Sequence, residues 1–145
     1  MSNLNNTSIS QIYIGYEERE HEAYEVCKHT IKRFDSNLIN VIKLRSQDIP
    51  QYERNWGEPQ STDFTFTRFW VPYLSMFKGY SIFVDCDFLF LDDVQKLTEY
   101  INPDLAVSVV QHPTYNPHTE IKMDGVAQHR SFRKNWASLM VFNNE

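Results

Sequence analysis

Apolar positions along the chain keep switching between two periods, and the switches mark out alternating strands and helices. Gln11 to Tyr16 (QIYIGY) is a short run of β-formers closed by Gly15, which predicts a strand. Glu17 to Arg33 contains no Gly or Pro and is filled with helix formers, so a helix follows. Leu38 to Leu44 (LINVIKL) predicts a second strand, and Ser46 to Arg54 a short helical turn beginning near Asp48 and Pro50. A β-α-β opening of this kind is the unit of a parallel sheet.

Asn55 to Asp63 mixes Gly, Pro and small polar residues, a loop that closes on the capping residues Ser61, Thr62 and Asp63. Phe64 to Phe77 then places Phe66, Phe69, Trp70, Tyr73, Leu74 and Phe77 at spacings of three and four. That predicts a helix with one strongly apolar side, Arg68 elsewhere on the wheel, and a kink or boundary at Pro72. Ser81 to Val84 (SIFV) has the composition of a buried strand, and Phe88 to Leu91 forms a second apolar stretch. Asp92 to Tyr100 returns to helix, with Asp92 or Asp93 as its cap, and Leu105 to Val110 is a further strand ending at His112-Pro113. Thr114 to Lys134 reads as loop, and Ser138 to Phe142 as a last strand. Residues 1–9 read as a disordered N-terminus and 10–145 as a single α/β domain. A buried strand so close to the last residue leads us to expect a fragment of a longer protein.

In YSIFVDCDFLFLDD, two carboxylates lie two residues apart where a hydrophobic strand reaches the surface. On an extended strand Asp85 and Asp87 share a side while Cys86 points away. Two like charges on one side repel unless a cation lies between them, and Mg²⁺ or Mn²⁺ takes such hard oxygen ligands. Open α/β sheets also bind their ligands beyond the carboxyl ends of their strands, which is where the pair falls. Against this, an acidic triplet is short enough to arise by chance. Asp92 and Asp93, between an apolar run and a helix, read simply as caps.

Composition narrows the partners. The chain has 145 residues, with 41% hydrophobic and 14% aromatic content, typical of folded proteins. Its 14 basic against 19 acidic residues give a net charge of −5, and the one basic run, Arg130, Arg133 and Lys134, is short. A nucleic-acid partner is therefore not expected. Cys27 and Cys86 are the only cysteines. With Cys86 set between two aspartates we expect reduced thiols and a cytoplasmic setting. The polar N-terminus has no signal-peptide pattern, and no apolar run has the length of a transmembrane segment.

An ordered series of motifs then carries a resemblance. IYIGY at Ile12 to Tyr16, STDFTFTRFWVP at Ser61 to Pro72, FVDCD at Phe83 to Asp87 and RKNWASLMVFN at Arg133 to Asn143 together make the chain resemble the GT-A-fold glycosyltransferases, especially glycosyltransferase family 8 and related nucleotide-diphospho-sugar transferases. The resemblance implies a three-layer, Rossmann-like mixed sheet with flanking helices. It implies transfer of a sugar from a nucleoside-diphosphate sugar, a UDP-sugar favoured, to a hydroxyl of a glycan or lipid-linked acceptor. It implies Mn²⁺ or Mg²⁺ on Asp85 and Asp87 and Arg68 on the diphosphate or sugar. Gly15 and Tyr16 would lie at the base, with Tyr16 as a stacking candidate, and Asn143 near the sugar and acceptor. Asp124 is the least implausible general base or nucleophile. Members of this type add a later metal-binding histidine and a basic element, which the sequence does not reach, so an acceptor-binding and metal-completing part is expected to be missing.

Plainer readings stand beside these. Arg68 could cover apolar surface with its stem, His112 could be a loop histidine with His118 and His129 on the surface, and Trp56, Trp70 and Trp136 could serve packing. A haloacid-dehalogenase-like phosphohydrolase also presents an aspartate pair at a strand end, although normally near its N-terminus. A non-catalytic nucleotide-sugar-binding remnant is the other alternative.

Overall fold

Ile9 and every residue from Ile12 to Gly15 are buried, so the first strand, β1 (Ile9–Gly15), is covered on both faces over its second half and belongs to the middle of a sheet. The computed structural model describes residues 8–53, 62–111 and 135–145, of which 135 and 136 by backbone alone. β1 starts two residues before the sequence-predicted run and includes Ile9, which had been assigned to the disordered terminus; Ile9 is instead 2% exposed.

From β1 the chain passes through a short helical turn (Glu18–Glu20) into α1 (His21–Phe34) and returns as β2 (Asn40–Leu44), parallel to β1. After another short turn, Ser46–Asp48, it crosses to the opposite side of β1, where β3 (Tyr80–Val84) also runs parallel. β4 (Val107–Gln111) and β5 (Asn135–Asn143) complete a five-stranded mixed sheet in the order β2-β1-β3-β5-β4, with β5 antiparallel to both its neighbours. The protein is thus a small α/β domain around one mixed sheet.

The alternation of side chains along β1 and β3 sorts the core into two layers. Tyr24, Cys27 and Ile31 form the buried stripe of α1, and the Tyr16 ring meets Tyr24 edge-on at 5.2 Å between centroids. Tyr13 and Phe83, partners in register, belong to the other layer, where Ser75 Oγ donates to Tyr13 Oη at 3.2 Å and the Phe64 ring lies 6.3 Å from that of Phe83.

The segment from Phe64 to Phe77 departs most from its sequence pattern. It is a turn followed by a tight helical stretch (Thr67–Trp70) and one α-turn, α2 (Val71–Leu74), with Pro72 at the start of α2, where its missing N–H does no harm. Its inward side is Phe64, Thr67, Arg68, Val71 and Ser75, whereas Phe66, Phe69, Tyr73 and Phe77 from the apolar side are 40–59% exposed. The Phe64 ring packs closely on Gly15 at the end of β1, and with that ring inward the aromatic row faces outward.

Asp93 caps the helical turn Val94–Tyr100 as expected, accepting the Gln95 N–H at 2.9 Å, and Asp92 pairs with Lys96 at 2.6 Å. Among the described residues no helix is long and apolar enough to cross a membrane. The predicted loop 114–134, the His112-Pro113 strand end and most of the 55–63 loop lie outside the described residues, as do Trp56, His118, His129, Arg130, Arg133 and Lys134.

Candidate functional site

The connection after β1 leads to one side and the connection after β2 returns to the other, so the order in which strands are added switches between the parallel strands β1 and β3. Carboxyl ends of adjacent parallel strands whose connections diverge leave a crevice, the usual ligand position in open α/β sheets. Gly15 ends one wall of this crevice, and Val84, followed by Asp85, ends the other.

Beyond Val84 the chain does not remain extended. Asp85 to Phe88 form a turn, with Phe88 N–H donating to Asp85 O at 3.4 Å, while Asp85 N–H still bonds Ser138 O of β5 at 2.9 Å. The two carboxylates are therefore brought near one another by a turn at the strand end and not by strand alternation, the reason expected from the sequence. Asp85 keeps the Phe83 side and meets Arg68, with Nη2 to Oδ1 at 3.2 Å. Cys86 points to the α1 side, 1% exposed, and its thiol donates to Glu20 Oε2 at 2.9 Å. Asp87 stands in solvent at the tip.

Arg68 is the most heavily engaged side chain in the site. At 8% exposed, it donates through Nε to Phe64 O and through Nη1 to Ala137 O, and its guanidinium carbon lies 4.8 Å from the centre of the Phe83 ring. Burial holds its pKa below the usual arginine value, and the Asp85 charge opposes that shift. Nε and Nη1 are bonded to carbonyls and Nη2 faces the Asp85 carboxylate, so the contact Arg68 makes in the site is with Asp85, and a contact with a diphosphate stands as what the resemblance implies.

The cysteines are sealed as well. Burial raises the Cys27 thiol to about 12, with a smaller push from Asp87. Burial also raises Cys86, reinforced by its bond to Glu20. Both are buried free thiols, and the raised pKa disfavours the thiolate, the nucleophilic form.

Gly15 and Tyr16 do sit at the crevice, but for reasons of packing. A Cβ on Gly15 would stand 2.6 Å from Phe64 Cγ, so a side chain is excluded there by the ring it accommodates. Tyr16 is 7% exposed, its hydroxyl donates to Glu18 at 3.0 Å, and the Lys43 ammonium covers its ring at 4.1 Å. These contacts give the Tyr16 ring a packing role at the crevice, and stacking on a base stands as what the resemblance implies.

Asn143 is displaced from the site altogether. β5 runs against β3, so Leu139 lies opposite Val84 and Asn143 opposite Tyr80. Asn143 therefore sits four strand positions, about 13 Å at about 3.3 Å per residue, toward the other end of the sheet, and its amide donates to Pro103 O at 3.0 Å. It is the start of β5, at Ala137 and Ser138, that reaches the crevice. Asp124 lies outside the described residues.

Sequence reasoning missed two acids. Glu17, 7% exposed, accepts Arg19 Nε at 2.7 Å and the Asp63 N–H at 3.2 Å, tying the loop after β1 to the turn before Arg68. Glu20 receives the Cys86 thiol. Both had looked like ordinary polar residues at a helix start; only a long-range contact gives them a role.

Among the described residues, no group of three or more His, Cys, Asp and Glu assembles as a metal site. The donor chemistry of Asp85 and Asp87 nevertheless fits Mg²⁺ or Mn²⁺, which is held by one or two carboxylates with water and substrate phosphates completing the shell.

No protein-family model matches the chain. It is similar to Protein CDI of Arabidopsis thaliana, with 40% identity over 136 residues, a match covering 92% of the chain and 52% of that relative. The chain therefore spans about half the length of the curated relative it matches.

Proposed function

We propose that this domain is the nucleotide-sugar-binding half of a metal-dependent, GT-A-type glycosyltransferase. The observation that carries the reading is the placement of Asp85 and Asp87 at the carboxyl end of β3, beside the crevice where strand order reverses. A mixed sheet with a largely parallel centre is compatible with the fold that the motif series implies.

In the proposed reaction the bond from the sugar's anomeric carbon to the donor diphosphate breaks, one to an acceptor hydroxyl oxygen forms, and the acceptor proton leaves. Asp85 and Asp87 are the residues that would hold Mn²⁺ or Mg²⁺, whose contribution when bound is to offset negative charge on the departing diphosphate. Arg68 fixes the Asp85 carboxylate from below through a buried ion pair. The Cys86–Glu20 bond fixes the turn from the α1 side, so its backbone is held at both flanks while Asp87 stays in solvent.

Calorimetric titration with Mn²⁺ in the presence of UDP tests the reading. Metal-dependent UDP binding in the wild type that Asp87→Asn removes is expected. An absence of such binding, or its survival in Asp87→Asn, overturns it, and a phosphoenzyme trapped on Asp85 would point to the phosphohydrolase alternative instead.

A further inference from the structure

Asp85 already has a cation. We propose that Arg68 is a built-in counter-ion with which a divalent metal must compete for the Asp85 carboxylate, so that the site admits metal weakly until a second negative group arrives. This inference rests on the proposed metal-binding role of the aspartate pair and concerns how that same site is regulated.

The argument starts from how firmly the guanidinium is fixed. Its Nε and Nη1 are committed to Phe64 O and Ala137 O, carbonyls from two separate elements, and the Phe83 ring supports its face. It cannot swing away from Asp85 without leaving those carbonyls short of a donor, and buried unpaired groups are unfavourable. The pair is also shielded, with side-chain exposures of 10% and 23%, so water screens the fixed charge poorly. A divalent ion approaching Asp85 therefore meets a positive charge 3.2 Å behind the carboxylate oxygen.

Asp87 contrasts with it, being exposed at the tip of the turn. The two aspartates are thus unequal: Asp87 is ready for a cation, whereas Asp85 is shared. A diphosphate entering with the metal adds negative charge that compensates for Arg68, which makes the phosphate-bearing ligand a condition for tight metal uptake. Arg68 is on this view a positioning residue with an inhibitory charge, and its removal should strengthen the binding of metal alone.

The opposite expectation follows if Arg68 only holds the turn in shape, because loss of a purely structural support weakens every property of the site. Titration of the protein with Mn²⁺ alone, followed by the loss of the free-ion paramagnetic resonance signal, separates the two. Arg68→Gln removes the charge but keeps a donor for the carbonyls, and at least tenfold tighter Mn²⁺ binding than in the wild type is expected. Arg68→Lys keeps the charge on a shorter reach without the fork, and should fall between them. Circular dichroism establishes that each variant is folded; should Arg68→Gln not fold, the Arg68→Lys affinity decides, an intermediate gain supporting the proposal. Affinity equal to or weaker than wild type in the folded variants, including no binding in any of them, overturns it. UDP-dependent Mn²⁺ binding by the wild type, lost in Asp87→Asn, would then still stand for the glycosyltransferase reading, so the two failures are distinguishable.

Discussion

Replacing Gly15 by alanine adds one methyl group at the point where the first strand meets the Arg68-bearing segment. That methyl would stand 2.6 and 2.7 Å from two Phe64 ring atoms and 3.1 Å from its Cβ, well inside van der Waals contact. Phe64 has little room to retreat: it is 2% exposed, its ring lies 6.3 Å from that of Phe83, and the Arg68 guanidinium carbon is 5.8 Å from its centroid. Overpacking of this kind destabilises by about 1–3 kcal/mol, and the entropic advantage of alanine over glycine in a strand returns about 0.5–1 kcal/mol. The balance is a loss of about 1–2 kcal/mol, or roughly 2–8 °C in Tm for a chain of this size. Urea and thermal unfolding followed by circular dichroism measure it. Because the mechanism is a clash with one ring, Phe64→Leu in the same background should recover part of the loss, with a coupling of about 0.5 kcal/mol or more. A Gly15→Ala protein as stable as wild type, or a double variant whose losses simply add, would refute the steric account of this glycine.

Three further outcomes follow from the same geometry. Asp87→Asn, at an exposed tip, should change stability by less than about 0.5 kcal/mol; Asp85→Asn leaves the buried Arg68 charge uncompensated and should lose about 2–4 kcal/mol, between the values for surface and fully buried pairs, both read from denaturant midpoints. Asp93 is predicted to contribute to acid stability. Burial would raise its carboxyl, but the bonds from the Ser36 hydroxyl and the Gln95 N–H outweigh that and hold it below the usual value. A carboxyl lowered in the folded state stabilises above its unfolded pKa, about 3.9, and loses that contribution as pH falls through the folded value. Asp93→Asn should therefore flatten the decline in stability measured between pH 5 and about pH 2, and an unchanged slope would contradict the assignment. Finally, Phe69→Ser should be within about 0.5 kcal/mol of wild type, whereas Val71→Ala, at 0% exposure, should lose about 2 kcal/mol; the reverse ranking would restore the aromatic side as the inner one.

The positions of the strands and of α1 were legible in the chain's local pattern, because largely apolar runs such as QIYIG and SIFV must be enclosed on both sides. The sequence also located the acidic pair at a strand end and the cap at Asp93, since both are local patterns. The relations between distant segments came instead from the folded arrangement. The direction of β5 carried Asn143 away from the site and brought Ala137 to it, and strand polarity is set by pairing partners rather than by local residues. The anchoring of Phe64 over Gly15 turned the aromatic row outward and Arg68 inward, against the helical pattern read from spacing, because a single tight steric fit outweighs a diffuse apolar moment. The roles of Glu17 and Glu20 likewise come from contacts 46 and 66 residues away along the chain, a separation across which local sequence carries no signal.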